Sequence, residues 1–187
     1  MPLKSKTLVI TKQGSVKKSN INNQKAAKMR RQRGYHWEDT IVKRFNNTTE
    51  WRAFRLGSPS IALPDVLAVN NENEELFTIE AKSGTSTSLP VPADQIERCL
   101  DWIETFGVYK KRNVLLAFKF LSKKRLGIGK YENRELREFF KIWDTSLEIT
   151  DCVCTYDGKI FAKCNGEKKE LFLKECIMPF KTKQRQI

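Results

Sequence analysis

The chain has 187 residues, 40% of them hydrophobic and 30% charged, enough for one domain with a full core and too few for two with a linker. No run of about 18 apolar residues occurs, so no membrane-spanning helix is expected; Leu8-Val9-Ile10 is too short for the apolar core of a secretory signal, and the expected location is cytoplasmic. The formal net charge of +13 costs self-repulsion in the folded state, for which a polyanionic partner is the usual compensation.

Residues 1–32 read as a basic, flexible arm, because residues 1–33 hold ten Lys or Arg and no Asp or Glu. Lys25–Arg33 has the Ala, Met, Lys and Arg content that favours helix. No aromatic residue precedes Tyr35, so Lys28, Arg30 and Arg31 are expected to contact phosphates rather than to build a base-stacking platform. Residues 33–187 read as one domain, with a core over 34–121 and an extension over 122–187.

Trp37, Ile41, Val42 and Phe45 share one helical face, and Glu38 stands inside that apolar stripe. A carboxylate there is costly unless it is paired or bound to a cation. Trp51–Leu56 predicts a strand ended by Gly57-Ser58-Pro59-Ser60. Pro64 opens a second strand, Asp65–Val69, and the polar turn Asn70–Glu74 leads into a third, Leu76–Lys82. After the loop Ser83–Ser88, Pro90 and Pro92 prepare a helix to Gly107 with Ile96, Cys99, Leu100 and Ile103 at core spacing.

Asn113–Leu121 predicts another strand, and Lys123-Lys124-Arg125 a basic connection to Gly127–Gly129. Leu136, Phe139, Phe140 and Trp143 predict a further amphipathic helix capped by Asn133. Leu147–Thr155 and Lys159–Lys163 flank Tyr156-Asp157-Gly158, a hairpin signal, and Glu170–Cys176 predicts a last strand. The order is that of an α/β protein with a central mixed sheet flanked by helices and a β-rich C-terminal extension.

Five cysteines form no disulfide framework. Cys152, Cys154, Cys164 and Cys176 are weighed as zinc ligands and set aside: strand alternation puts the first two on one face, and zinc sites favour a C-x2-C turn. Buried thiols in a reducing compartment account for them. His36, the only histidine, has no role in the chemistry below, and Trp102 and Trp143 are expected to pack.

Glu80 and Lys82 share one face of the third strand, because side chains alternate. If Asp65 on the neighbouring strand reaches the same place, two carboxylates and an ammonium converge, which is unfavourable without a cation. Mg2+ takes oxygen ligands and keeps several waters, so these carboxylates with the Ala81 carbonyl suffice for it, and Mn2+ is expected to substitute. Glu38 would complete the metal shell directly or through water. Such a metal activates water and polarises a phosphodiester; Lys82 would orient the water or meet developing charge. Gln95, in the first turn of its helix, would hydrogen-bond a ligand carboxylate, water or phosphate.

The stretches RGYHWEDTIVKRF, WRAFRLGS, LPDVLAV, FTIEAKSG, DQIERCLDWI and NVLLAFKF, from Gly34 to about Phe120, resemble the PD-(D/E)XK nuclease superfamily, and within it archaeal Holliday junction resolvases. The resemblance implies a restriction-endonuclease-like core, a metal among Glu38, Asp65 and Glu80, a catalytic Lys82, a supporting Gln95 and Ser58 close to the scissile phosphate. Arg33, Arg52 and Arg55 suit phosphate contacts by charge and location. It further implies a homodimer that acts on four-way DNA junctions, with one active site for each of two opposed strands. The segment Pro59–Leu63 is shorter and less charged than the family pattern, and Tyr35, His36 and Trp37 are bulkier. The alternatives are a repair or restriction nuclease of the same superfamily acting on duplex or flapped DNA, and a DNA-binding module without activity.

Overall fold

The computed structural model describes residues 14–56, 62–164 and 167–182. Residues 1–32 and 33–187 form two separate units. Helix α1 (Gly14–Asn46) supplies the helical residues of the first unit and opens the second. It begins at Gly14, earlier than the stretch from Lys25 expected to be helical.

In the second unit, the hairpin expected over residues 65–82 forms from β2 (Val66–Asn70) and β3 (Glu75–Gly84), with β1 (Arg52–Arg55) antiparallel to β2. The chain then crosses through β4 (Ser88–Val91) and helix α2 (Ala93–Thr105) to β5 (Lys111–Phe120), which runs parallel to β3. A hairpin of β6 (Lys123–Gly127) and β7 (Lys130–Asn133) follows, and β8 (Arg137–Ile142) returns antiparallel to β5. The central mixed sheet has the order β1-β2-β3-β5-β8. Strands β9 (Cys152–Thr155), β10 (Ile160–Cys164) and β11 (Glu167–Leu171) form a second sheet with β4 at its edge. The architecture is the expected one: a mixed sheet with a helix on each face and a β-rich C-terminal extension.

Two cores follow from strand alternation. Phe77, Ile79 and Ala81 of β3 face Trp37, Ile41 and Phe45 of α1. On the opposite side Leu76, Val114, Leu116 and Phe118 meet Ile96, Cys99 and Ile103 of α2, joined by Leu89, Val91, Cys152 and Cys154 of the second sheet. The central strands are covered on both faces, so any polar group on them needs an internal partner. Among the described residues no helix is long and apolar enough to cross a membrane.

The helix expected from Leu136, Phe139, Phe140 and Trp143 is instead β8, and Asn133 ends β7 rather than capping a helix. The spacing misleads because both faces of β8 are covered: Phe140 enters the α1 core while Phe139 packs against the other. Glu138, on the Phe140 side, is fully buried. Two bonds from Arg44 of α1 reach its carboxylate, at 2.7 and 3.0 Å, with Lys119 Nζ at 3.8 Å. Strand β4 forms between the loop expected over Ser83–Ser88 and helix α2, where Pro90 is expected to lead into the helix; Pro90 is tolerated there because β4 is an edge strand. The Tyr156-Asp157-Gly158 turn joins β9 to β10 as expected. Gly158 has φ 82°, and a Cβ there would lie 2.5 Å from the Phe139 ring. The strand expected over Leu147–Thr155 shortens to β9, and that over Glu170–Cys176 moves to β11.

Replacing Arg44 with Met leaves the buried Glu138 carboxylate without its bidentate partner. The expected loss is about 3 kcal/mol or more of unfolding free energy, read by urea denaturation. The double variant Arg44→Leu/Glu138→Leu should recover much of it; a single variant as stable as wild type would contradict this account.

Candidate active site

Strand β2 ends its pairing at Val66 opposite Ile79, so β3 runs past it and residues 80–82 have no strand neighbour on that side. Asp65, just before β2, fills the gap: its Oδ2 accepts a hydrogen bond from Ala81 N–H at 2.9 Å. Asp65 is held in turn by its carbonyl, which accepts from Leu56 N–H at 3.0 Å. One carboxylate is thereby pinned to the end of the sheet.

Glu80 is buried on the α2 side of β3, and Lys82 shares its face. Lys82 Nζ donates to Glu80 Oε1 at 2.5 Å, and Arg98 Nη2 from α2 lies 3.4 Å from Oε2. Burial pushes the Glu80 carboxyl up to about 7; the positive charge of Lys82 opposes this and the negative charge of Asp65 adds to it. The two cations do not fully offset the cost of the buried charge.

Glu38 reaches the same region from α1. Trp37, fully buried beside it, donates from its indole N–H to the Ala117 carbonyl at 3.2 Å, fixing the rotation of the helix against β5. Glu38 is only 6% exposed, and its Oε2 is buried with no hydrogen-bond partner. Burial is the main cause that lifts its carboxyl from 4.5 to about 7; Asp65 and Glu80 add to this, and Arg55 counters it. Three carboxylates from three elements thus act on one another electrostatically. Among the described residues, however, no three His, Cys, Asp or Glu side chains stand in an arrangement that holds a cation.

The remaining expected residues are placed unevenly. Arg55 ends β1 beside the site, its Nε 3.5 Å from Asp39 and its guanidinium over the Tyr35 ring. Arg52 starts the same strand and bonds the carbonyls of Thr49 and Trp51, away from the carboxylates. The Arg33 carbonyl accepts from Ser83 Oγ at 3.1 Å, tying α1 to the residue after Lys82. Gln95 lies one turn before Arg98 on α2, and its Oε1 is buried without a partner. Lys28 and Arg31 are exposed on the helix of the first unit. Ser58 and the Arg30 side chain lie outside the described residues. Sequence reasoning missed Arg98: its only signal is the three-residue step from Gln95, which carries little weight on an amphipathic helix.

The fold is a central mixed sheet flanked by helices, with the carboxylates gathered at one end of it. A family model described as archaeal Holliday junction resolvase (Hjc) matches residues 29–155, more than half of the chain, and the chain belongs to this family of nucleases. A solved structure similar to it is that of Archaeoglobus fulgidus Hjc, a Holliday junction resolvase from an archaeal hyperthermophile, at 18% identity and a TM-score of 0.45, covering 66% of this chain and 84% of that one. No curated protein matches.

Without a cation, the raised carboxyls make ionisation oppose folding. Between 4.5, the ordinary value, and about 7, the folded chain holds protons that the unfolded chain has lost, so stability falls as pH rises through that window. In chelator, Glu38→Gln should therefore melt several degrees above wild type at pH 8, and the gap should close by pH 5. Thermal melts across that range test this; a variant less stable at pH 8 would count against it.

Proposed function

We propose that the chain is a divalent-metal-dependent endodeoxyribonuclease that resolves four-way DNA junctions by paired phosphodiester hydrolysis. The observation that carries this is the orphaned, buried Glu38 Oε2, held within electrostatic reach of Asp65 and Glu80 at the open end of β3. A buried carboxylate oxygen with no donor, beside two more carboxylates, fits a hard divalent cation better than any other partner. Glu38, Asp65 and Glu80 would hold Mg2+, with Mn2+ able to substitute. The N–H of Ala81 faces the side that β2 leaves open, and its carbonyl, which points the same way in a strand, is a fourth oxygen for it. When bound, the metal would supply an activated water and polarise the phosphate.

The chain's own groups do the rest. Lys82, held by its bond to Glu80, keeps an ammonium beside the scissile phosphate and meets charge developing on its oxygens. Arg98 fixes the second Glu80 oxygen and so the carboxylate's orientation. The free Oε1 of Gln95 accepts a hydrogen bond from a positioned water. Ser58, Arg33, Arg52 and Arg55 contact phosphates, and the basic arm of residues 1–32 lies along the duplex through Lys28, Arg30 and Arg31. One site cuts one strand, so paired cuts in a symmetric junction require a homodimer with two sites.

Labelled four-way junction, flap and linear duplex are incubated with protein and Mg2+, beside Asp65→Asn and Lys82→Ala. The expected result is symmetric nicking of the junction alone. Lys82→Ala should lower the single-turnover rate by about 10²–10³, and Asp65→Asn should abolish cutting while junction binding survives. Equal cutting of linear duplex would replace this reading with a general repair or restriction nuclease. Binding without metal-dependent cleavage would leave only a DNA-binding module.

A further inference from the structure

The β6–β7 hairpin takes no part in the chemistry above, yet it is built onto the strand that carries Glu80 and Lys82. Among the described residues, strands β6 and β7 pair only with each other, and a lone two-stranded hairpin is marginally stable in water. Its base is fastened at Gly84, the last residue of β3, and at the two residues beyond. Leu121 N–H donates to the Gly84 carbonyl and Arg125 N–H to that of Thr85, each at 2.9 Å. Arg134, directly after β7, donates from Nε to Leu121 O and from Nη2 to Ser86 O, both at 2.9 Å, while its guanidinium lies 4.6 Å from the Tyr156 ring. These bonds anchor the root of the hairpin at the active-site end of the sheet.

The tip has an unusual surface. Ile128 is 94% exposed and Leu126 58%, with Tyr131 half exposed behind them. Lys123, Arg125 and Lys130 are exposed along the same hairpin, and Gly129 turns the chain with φ 71°. Two exposed branched aliphatic side chains on a hairpin that also carries three exposed cations match neither an apolar protein surface, which offers nothing to the cations, nor bulk water. They match stacked bases flanked by phosphates. Inserting apolar side chains between base steps costs unstacking energy, and the cost is least where stacking is already broken.

We propose that the β6–β7 hairpin is a wedge for branched DNA, in which Leu126 and Ile128 lie against the open base faces at the branch point while Lys123, Arg125 and Lys130 hold the flanking phosphates. This rests on reading the carboxylate–lysine site as a DNA-cleaving one, and it gives that site a source of preference for branched over linear DNA. The wedge holds the branch beside the site without reading sequence.

The test uses the full chain, in chelator, with a four-way junction carrying 2-aminopurine at the branch and a linear duplex of the same sequence. Wild type should raise the fluorescence of the junction probe. Leu126→Ser/Ile128→Ser should lose most of that rise and bind the junction roughly tenfold more weakly, with duplex affinity and melting temperature nearly unchanged. Lys123→Gln/Arg125→Gln/Lys130→Gln should weaken binding to both DNAs and lower the slope of log affinity against log salt by about two to three, at ~0.9 for each phosphate left unneutralised. Wild-type junction binding and fluorescence by both variants would overturn the wedge. So would junction binding that is intact while the variants change the sedimentation of the protein alone, or lose binding to anionic phospholipid vesicles, since the hairpin would then serve a second copy of the chain or a membrane. If wild type itself neither binds nor cuts junctions, the cleavage reading falls and takes the wedge with it.

Discussion

A carboxylate on a strand covered from both sides is the constraint around which the rest of the molecule is arranged. Glu80 stands on β3, with α1 packed against one face of the sheet and α2 against the other. Water cannot solvate it there, so its charge is met from inside: Lys82 two residues along the same face, and Arg98 from α2. The early end of β2 is part of the same arrangement. Had its pairing continued past Val66, the Ala81 N–H would have entered the ladder, and Asp65 would have had no backbone donor to hold it at this end.

Placing Glu38 depends on a second set of buried contacts farther along the helix. Trp37 locks onto the Ala117 carbonyl, and Arg44 two turns on is forked onto Glu138 of β8. These contacts join α1 to β5 and β8, the strands beyond β3, and so set the helix rotation that carries Glu38 into the sheet end. The buried Arg44–Glu138 pair ties the helix to β8 at a defined point along both elements. Glu38 Oε2 is then left with no donor. Such a group costs stability, and proteins keep groups of this kind at sites where function requires them.

The same end of the sheet carries the cations. Lys82, Arg55 and the root of the basic β6–β7 hairpin all lie where β1, β3 and β5 reach their ends near the carboxylates. Negative groups at the centre with positive groups around them would repel a bare polyanion at the middle and hold it at the edges. A divalent cation reverses the central sign, so that chemistry at the centre becomes conditional on the ion while the edges hold the polyanion without it.

By itself the sequence determined the elements whose signals are local. The Glu38 helix showed as an acid in an apolar stripe, and β2–β3 as two apolar runs about a polar turn; Glu80 and Lys82 shared a face by strand alternation alone. The order of these motifs was also enough to name the family. What only the tertiary structure decided depends on partners distant along the chain. Residues 136–143 have helical spacing, and only a sheet covered on both sides, with Arg44 waiting for Glu138, makes them a strand. Arg98 became visible only when α2 was laid across β3. The basic run at 123–125 became one strand of a hairpin through its pairing with β7 and through the bonds of Leu121, Arg125 and Arg134 at its root, two of them to residues 84–85 at and beyond the end of the Glu80 strand. Periodicity reports which residues are buried; it does not report what buries them, and that difference is settled by contacts between residues tens of positions apart.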